Sequence, residues 1–116
     1  ISRETRLRTA LKLVVGEYDF ILIDCPPSLG LLTVNALTAA DSALVPIQCE
    51  YFAMEGVSML MSTVEDVRRF LNPRLTIDGI ILTMYDERTN LARQVAEEVR
   101  GVFGDLVFET LVPRNV

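Results

Sequence analysis

Apolar positions along the chain follow two different spacings. Short continuous runs predict four strands, at 18–24, 43–47, 77–84 and 106–112. Between the runs, apolar residues recur at intervals of three and four, which is typical of amphipathic helices. This spacing predicts helices at 3–15, 31–40 and 53–71, and a fourth helix marked by Leu91, Val95, Val99 and Val102. Helices and strands therefore alternate along the whole chain.

The alternation determines the expected fold class. Strands joined through helices must run parallel, connected by right-handed crossovers. We therefore expect an α/β fold built on a doubly wound, mostly parallel sheet. The chain has 116 residues, enough for one modest core. It contains no linker and no internal repeat, so no domain boundary is expected within 1–116.

The first predicted strand ends in an unusual way. Its run Phe20–Ile23 is continuously apolar, which is typical of a strand buried on both faces. The run stops at Asp24, and Pro26 and Pro27 then prevent further ladder pairing. In P-loop NTPases an aspartate at this place, the Walker B acid, helps to hold Mg²⁺ beside the phosphates. The pattern alone leaves two interpretations of Asp24 equally open, a Walker B acid or a solvated carboxylate that begins a loop.

Four polar, turn-forming segments each follow a predicted strand. They are residues 24–28, 48–51, 85–90 and 113–115. Because the carboxyl ends of parallel strands meet at one edge of a sheet, and ligands bind there, we expect these four segments to cluster. The sequence therefore predicts a ligand site built from strand-end loops.

Composition and charge exclude some kinds of chemistry. The chain contains no histidine, so no histidine base or metal ligand lies within it. Its net charge is −5, which argues against a broad electropositive surface for nucleic acid. Contact with DNA would need a local basic cluster, or one assembled by dimerisation. Two cysteines, Cys25 and Cys49, are expected to be reduced and structural, as in a cytosolic protein.

Four blocks of the sequence together resemble a known family. Taken in order, they are similar to the ParA/Soj chromosome- and plasmid-partitioning ATPases, which belong to the deviant-Walker-A group of P-loop NTPases. The blocks are residues 18–30 (YDFILIDCPPSLG), 46–56 (PIQCEYFAMEG), 82–91 (LTMYDERTNL) and 112–116 (VPRNV). The blocks occur in the same order as in the family, and the match extends over nearly the whole chain.

The chain also departs from that family. Family members carry a glycine-rich P-loop with two lysines, and a switch aspartate that orients the attacking water, upstream of the region that matches. Neither motif occurs in this sequence. The resemblance therefore implies a partial domain, the middle-to-late part of a longer ATPase. The chain by itself is expected not to hydrolyse ATP.

The resemblance implies roles for particular residues. Asp24 matches the acid that positions Mg²⁺, and Pro26 and Pro27 match a stiff loop beside the γ-phosphate. Met84, Pro113 and Arg114 match loops near the adenine base of ATP.

Arg88 matches a position where the family places a DNA-contacting arginine. A guanidinium suits phosphate contact through its forked donors. The competing interpretation is an arginine at a helix start that pairs with Asp86 or Glu87. Since useful affinity needs several phosphate contacts, the resemblance implies a dimer that doubles the patch.

The function implied by the resemblance is ATP-dependent DNA segregation in the cytoplasm, on the nucleoid. Mg²⁺ and ATP would close a homodimer that binds DNA without sequence preference, and a centromere-binding partner of the ParB type would stimulate hydrolysis. No membrane contact is expected.

Two alternatives differ in target or in class. A septum-positioning relative would bind membrane through a C-terminal amphipathic basic helix, whereas the block around Arg88 favours DNA. A phosphoacceptor receiver module with Asp24 as acceptor would need a further acidic pair on the first strand and a late lysine, which this chain lacks.

Overall fold

The computed structural model describes residues 3–26, 28 and 30–115. Four α-helices and three strands follow one another along this part of the chain. They are α1 (Arg6–Leu11), α2 (Leu31–Ala39), β1 (Ser42–Gln48), α3 (Ala53–Phe70), β2 (Thr76–Tyr85), α4 (Asn90–Phe103) and β3 (Val107–Pro113). Single 3₁₀ turns occupy Arg3–Thr5, Val15–Glu17 and Gly104–Leu106.

Two compact units divide the chain. One comprises Ile1–Ser42 with Leu60–Thr76, and the other comprises Ala43–Met59 with Ile77–Val116. Each unit has its own set of buried residues.

The second unit holds the sheet, in the order β1-β2-β3. β2 and β3 are parallel, with Ile80 opposite Val107 and Tyr85 opposite Pro113. The central strand β2 is the most deeply buried, since Ile80 and Leu82 are 0% exposed. A continuous apolar centre is what a strand covered on both sides requires. The α/β class with parallel strands is therefore confirmed.

Helix α4 covers part of this sheet with one apolar face. Its buried residues Ala92, Val95, Ala96 and Val99 lie at helical spacing. Val95 and Val99 are two of the four positions predicted for this face, whereas Leu91 is half-buried and Val102 is 61% exposed. The Arg100 guanidinium donates to the carbonyl oxygen of Glu109 on β3 at 3.4 Å.

Polar side chains bind the elements of the first unit together. The Asn35 amide oxygen accepts from the backbone N–H of Leu7 at 3.2 Å, which joins α1 to α2. The Asn72 side chain donates to the carbonyl oxygens of Leu37 and Ala40, at 3.1 and 2.8 Å. The C-terminal half of α3 contributes apolar residues, and the buried apolar side chains of this unit include Ala36, Leu37, Val64, Val67 and Leu75.

The prediction of a first strand at 18–24 is wrong. Residues 18–24 form no strand, and Phe20 and Leu22 are 86% and 94% exposed. A strand exists only where a neighbouring backbone supplies ladder partners. Among the described residues, no strand pairs with this segment, so its apolar side chains stay in solvent.

The first helix is shorter than predicted. It ends at Leu11 rather than continuing to residue 15, and Leu13 is 85% exposed. Short helices are held mainly by packing of their apolar face, and the exposed Leu13 supplies no such packing.

The expectation for the cysteines holds in part. Both thiols are free, and Cys49 is buried at the end of β1. Cys25 is exposed, so it has no role in packing here. Among the described residues, no helix combines the length and apolarity needed to cross a bilayer.

Candidate functional site

Asp24 lies in the irregular segment that replaces the predicted first strand. Its side chain is exposed, and the neighbouring Cys25 thiol points back to the carbonyl oxygen of Ile23, with Sγ and O 3.7 Å apart. Partial burial first, and the nearby Asp24 charge second, raise the pKa of the Cys25 thiol. The aspartate is therefore open to a ligand from solvent.

The loop after Asp24 is anchored to α2. The Pro26 carbonyl accepts from the backbone N–H of Ser28 at 2.7 Å. The Ser28 carbonyl in turn accepts from the Thr33 hydroxyl at 2.5 Å. Pro27, the other proline expected to stiffen this loop, lies outside the described residues.

Asp24 fits a magnesium site as one member of a larger donor set. Mg²⁺ is usually held by one or two carboxylates together with water and substrate phosphates. Within the described residues, no group of three acidic or cysteine side chains could hold a metal ion by itself. The chemistry of Asp24 thus matches a site that phosphates and water complete.

Three of the four segments predicted to cluster, 48–51, 85–90 and 113–115, meet in the second unit. They enclose a cavity of about 220 Å³, which we name the strand-end hollow. It is lined by Cys49, Glu50, Met84, Asp86, Thr89, Leu91, Ala92 and Arg114. The hollow thus joins Met84 and Arg114, two residues matched to the adenine side of the family's nucleotide site. Asp24 and Pro26, in the fourth predicted segment, belong to the first unit.

Backbone contacts fix the position of Arg114 and Met84. The N–H of Arg114 donates to the carbonyl of Tyr85 at 2.9 Å, one step beyond the pairing of Tyr85 with Pro113. Met84 has a φ of 53°, in the left-handed region that residues other than glycine rarely adopt. Such backbone conformations cluster at ligand sites, where the surrounding structure holds them.

The Arg88 guanidinium forms a forked ion pair with the Asp86 carboxylate. Nε donates to Oδ1 and Nη2 donates to Oδ2, each at 2.9 Å. The Arg88 side chain is 71% exposed, whereas that of Asp86 is 16% exposed. The pairing considered as the competing interpretation of Arg88 is therefore present, and Asp86 rather than Glu87 is the partner.

Asp86 also organises the loop that carries Arg88, residues 86–90, which we call the Arg88 loop. Oδ1 of Asp86 accepts from the backbone N–H of Arg88 at 3.1 Å, and the Asp86 carbonyl accepts from the backbone N–H of Thr89. The Thr89 hydroxyl accepts from the N–H of Ala92 at 3.2 Å and so caps α4. Arg93 on α4 donates to the Glu87 carbonyl and to the Asn90 side chain.

These bonds perturb both members of the ion pair. The hydrogen bond from the Arg88 side chain first, and that from its backbone N–H second, lower the pKa of Asp86 from 3.8 to about 2. The same pairing raises the pKa of Arg88. Arg114 adds a smaller attraction to the Asp86 carboxylate. Asp86 consequently stays ionised to a lower pH than an ordinary aspartate does.

Asp86 and Thr89 are site residues to which the sequence analysis gave no role of their own. A signal for Thr89 was available, since threonine just before an apolar-periodic stretch is a typical helix N-cap. Asp86 had a weaker signal, because an aspartate side chain often closes a turn by accepting from the backbone two residues on.

Comparison with known proteins places this geometry in a family. A family model described as an AAA domain matches residues 1–77. The chain is 62% identical to the chromosome partitioning protein ParA of Myxococcus xanthus over 115 residues, which is 99% of this chain and 41% of that protein. It is 60% identical over 116 residues to the sporulation initiation inhibitor protein Soj of Bacillus subtilis, 100% of this chain and 46% of that one. The chain belongs to the ParA/Soj family.

A solved structure shares the fold of this chain. The fold is similar to that of cobyrinic acid a,c-diamide synthase from Mycobacterium smegmatis, crystallised with ADP and magnesium. The TM-score is 0.88 at 42% identity, over 99% of this chain and 47% of that one. The chain thus spans less than half the length of the ParA and Soj relatives and of this structure. The P-loop-like α/β architecture expected from the sequence is confirmed for this part of the fold.

Proposed function

We propose that the full-length protein carrying this chain is an ATPase that partitions chromosomal DNA. The observation that carries the proposal is the identity of 62% and 60%, over essentially the whole chain, with proteins named for chromosome partitioning and as Soj. Identity with the diamide synthase structure is lower, at 42%. The partitioning role therefore has the stronger support.

The proposed nucleotide-binding residues are those that match the family's nucleotide site. Asp24 would hold Mg²⁺, directly or through water, with Pro26 in the loop beside the phosphates. Met84, Pro113 and Arg114 would contact the adenine base. Met84 and Arg114 line the strand-end hollow, whose mixed apolar and polar lining suits a base, and Pro113 lies at the end of β3, opposite Tyr85. Mg²⁺, when bound, would neutralise charge that develops on the phosphates. Support comes from the ADP and magnesium bound by the related synthase.

The proposed DNA contact is Arg88. Its side chain is 71% exposed and its loop is held by Asp86 and Thr89, so the guanidinium can reach a phosphate without ordering a flexible segment. The acidic net charge of −5 makes one arginine insufficient. We therefore propose that a nucleotide-dependent homodimer presents two Arg88 loops to DNA of any sequence, and that a ParB-type partner stimulates hydrolysis.

The test is DNA binding by the full-length protein with and without ATP and Mg²⁺. A random-sequence duplex should bind only with nucleotide, and Arg88→Ala should weaken binding about tenfold or more, since a hydrogen-bonded charge contact is lost. Arg74→Ala, an exposed arginine outside the Arg88 loop, is the matched control and should bind as the wild type does. Nucleotide-independent binding, or equal losses in the two variants, would contradict the proposal.

A further inference from the structure

The Arg88 guanidinium offers its forked face to Asp86 in this structure. Nε and Nη2 are two donors that a carboxylate or a phosphate can engage together. Both are occupied by the Asp86 oxygens, at 2.9 Å each. A phosphate that approaches Arg88 in the same bidentate manner must therefore displace Asp86.

We infer that Asp86 is a built-in competitor for the anion that Arg88 binds, and that it limits the affinity for DNA. The inference rests on the proposed function, because it assumes that Arg88 contacts DNA phosphate. Asp86 would then do more than shape the loop, because it would set how readily Nε and Nη2 of Arg88 become free to bind a phosphate.

The surroundings of Asp86 support this assignment. Asp86 is far less exposed than Arg88, at 16% against 71%, so the carboxylate stays in place while the arginine can swing outward. The backbone N–H and the hydroxyl of Thr89 both donate to the Asp86 carbonyl, so the backbone at Asp86 is held independently of the ion pair. Asp86 is an aspartate whose pKa is not raised, so its competing charge is present in neutral buffers. The ion pair is exposed enough that its strength is modest and a phosphate can replace it.

Asp86→Asn separates the competing charge from the loop geometry. The retained Oδ1 can still accept from the backbone N–H of Arg88, which it does at 3.1 Å in the wild type. An amide nitrogen in place of Oδ2 cannot accept from Nη2, so this donor of Arg88 becomes free to bind an anion. Glu87→Gln is the matched control, because it removes one negative charge from the adjacent exposed residue of the same loop.

The experiment measures affinity for a random-sequence duplex by fluorescence anisotropy, with full-length protein at saturating non-hydrolysable ATP analogue and Mg²⁺. We expect Asp86→Asn to bind about two- to fivefold more tightly per protomer, the range that an exposed ion pair accounts for. The log–log slope of affinity against salt should steepen by about one for each additional phosphate that the protein neutralises. Glu87→Gln should show neither change. In an Arg88→Ala background, Asp86→Asn should give no gain.

The outcomes separate this inference from the proposed function. Arg88→Ala that binds like the wild type would contradict the DNA contact itself. Weaker binding by Arg88→Ala, combined with no gain from Asp86→Asn, would overturn the inference alone. A loss of DNA affinity in Asp86→Asn would also overturn the inference, because Asp86 would then position Arg88 for binding. So would a gain of affinity that persists in the Arg88→Ala background. If Asp86→Asn fails to fold, Asp86→Ser keeps a side-chain acceptor without the charge, and the same criteria apply.

Discussion

Gly79 on β2 leaves room for the phenyl ring of Phe108 on β3. A Cβ at position 79 would lie 2.6 Å from Cζ of that ring, closer than non-bonded carbons approach. Glycine inside a strand often marks such a close approach. Here it lets the two parallel strands keep an aromatic side chain between them.

Gly79→Ala should therefore destabilise the protein by about 1–3 kcal/mol, as overpacking does. The measurement is the free energy of unfolding of the full-length protein in urea. Gly101→Ala is the control, because nothing lies within 4 Å of a Cβ there and the helix should gain stability. In a Phe108→Ala background the penalty at 79 should vanish, and a penalty that persists would show that the ring is not its cause.

Asn72 supplies a second structural prediction. It is 8% exposed, and its amide nitrogen donates to the carbonyl oxygens of Leu37 and Ala40. Asn72→Ala should cost about 1–3 kcal/mol of unfolding free energy, because both carbonyls lose a buried partner. Asn72→Asp should cost more, since a carboxylate would face the same two oxygens.

Thr38→Val is the control for Asn72. Thr38 is 1% exposed, and its hydroxyl donates to the Val34 carbonyl of its own helix. That carbonyl has a helical partner in any case, so the change should be small. Equal losses at the two positions would mean that burial rather than the bridging bonds explains the effect.

The success and failure of the sequence predictions have a physical cause. Each end of strands β1, β2 and β3 was predicted to within one residue, because each strand carries a short apolar run whose partners are also in the chain. The run Phe20–Ile23 has the same pattern but no strand. An apolar run makes a segment suitable for a buried strand, but the strand forms only where a neighbouring strand pairs with it. The pattern within one segment does not show whether that neighbour is present.

The candidate site was predictable to the level of topology. That Met84 and Arg114 come together follows from parallel strands ending at one edge, and the strand-end hollow confirms it. Which acid pairs with Arg88 did not follow. Asp86 and Glu87 are both near it in sequence, and the choice depends on a turn closed by the Asp86 side chain and the Thr89 cap.

Thr89 should contribute measurably to the stability of α4. Its hydroxyl accepts from the N–H of Ala92 and donates its own hydrogen to the Asp86 carbonyl, so it joins the helix start to the Arg88 loop. Thr89→Ala should lower the unfolding free energy by about 0.5–2 kcal/mol. Thr89→Ser keeps the hydroxyl and should restore most of that loss. If serine and alanine behave alike, the cap bond contributes nothing.

The ion pair of Asp86 should be visible in an acid titration. The pKa of Asp86 in the folded state is lowered from 3.8 to about 2, so the ion pair stabilises the folded state at pH values above 3.8. That stabilisation is lost as the pH falls from about 4 to about 2. Titration of the Asp86 carboxyl by NMR should give a midpoint near 2, and Arg88→Ala should move it back towards 3.8. A midpoint that Arg88→Ala leaves unchanged would contradict the forked pairing.

Asp24 provides the sharpest test of the proposed nucleotide site. It is exposed, it is a donor of the kind that Mg²⁺ prefers, and it is the residue proposed as the Walker B acid. Asp24→Asn keeps the size of the side chain and removes its charge. In the full-length protein, Mg²⁺-dependent ATP hydrolysis should fall about 10- to 100-fold, the range found when a group that orients a metal or its bound water is removed.

Asp19→Asn, an exposed acid in the same irregular segment, should leave hydrolysis unchanged. Because the two variants remove the same charge from one segment, equal rates for both would place the metal elsewhere. A rise in the Mg²⁺ concentration needed by Asp24→Asn alone would tie the loss to metal binding.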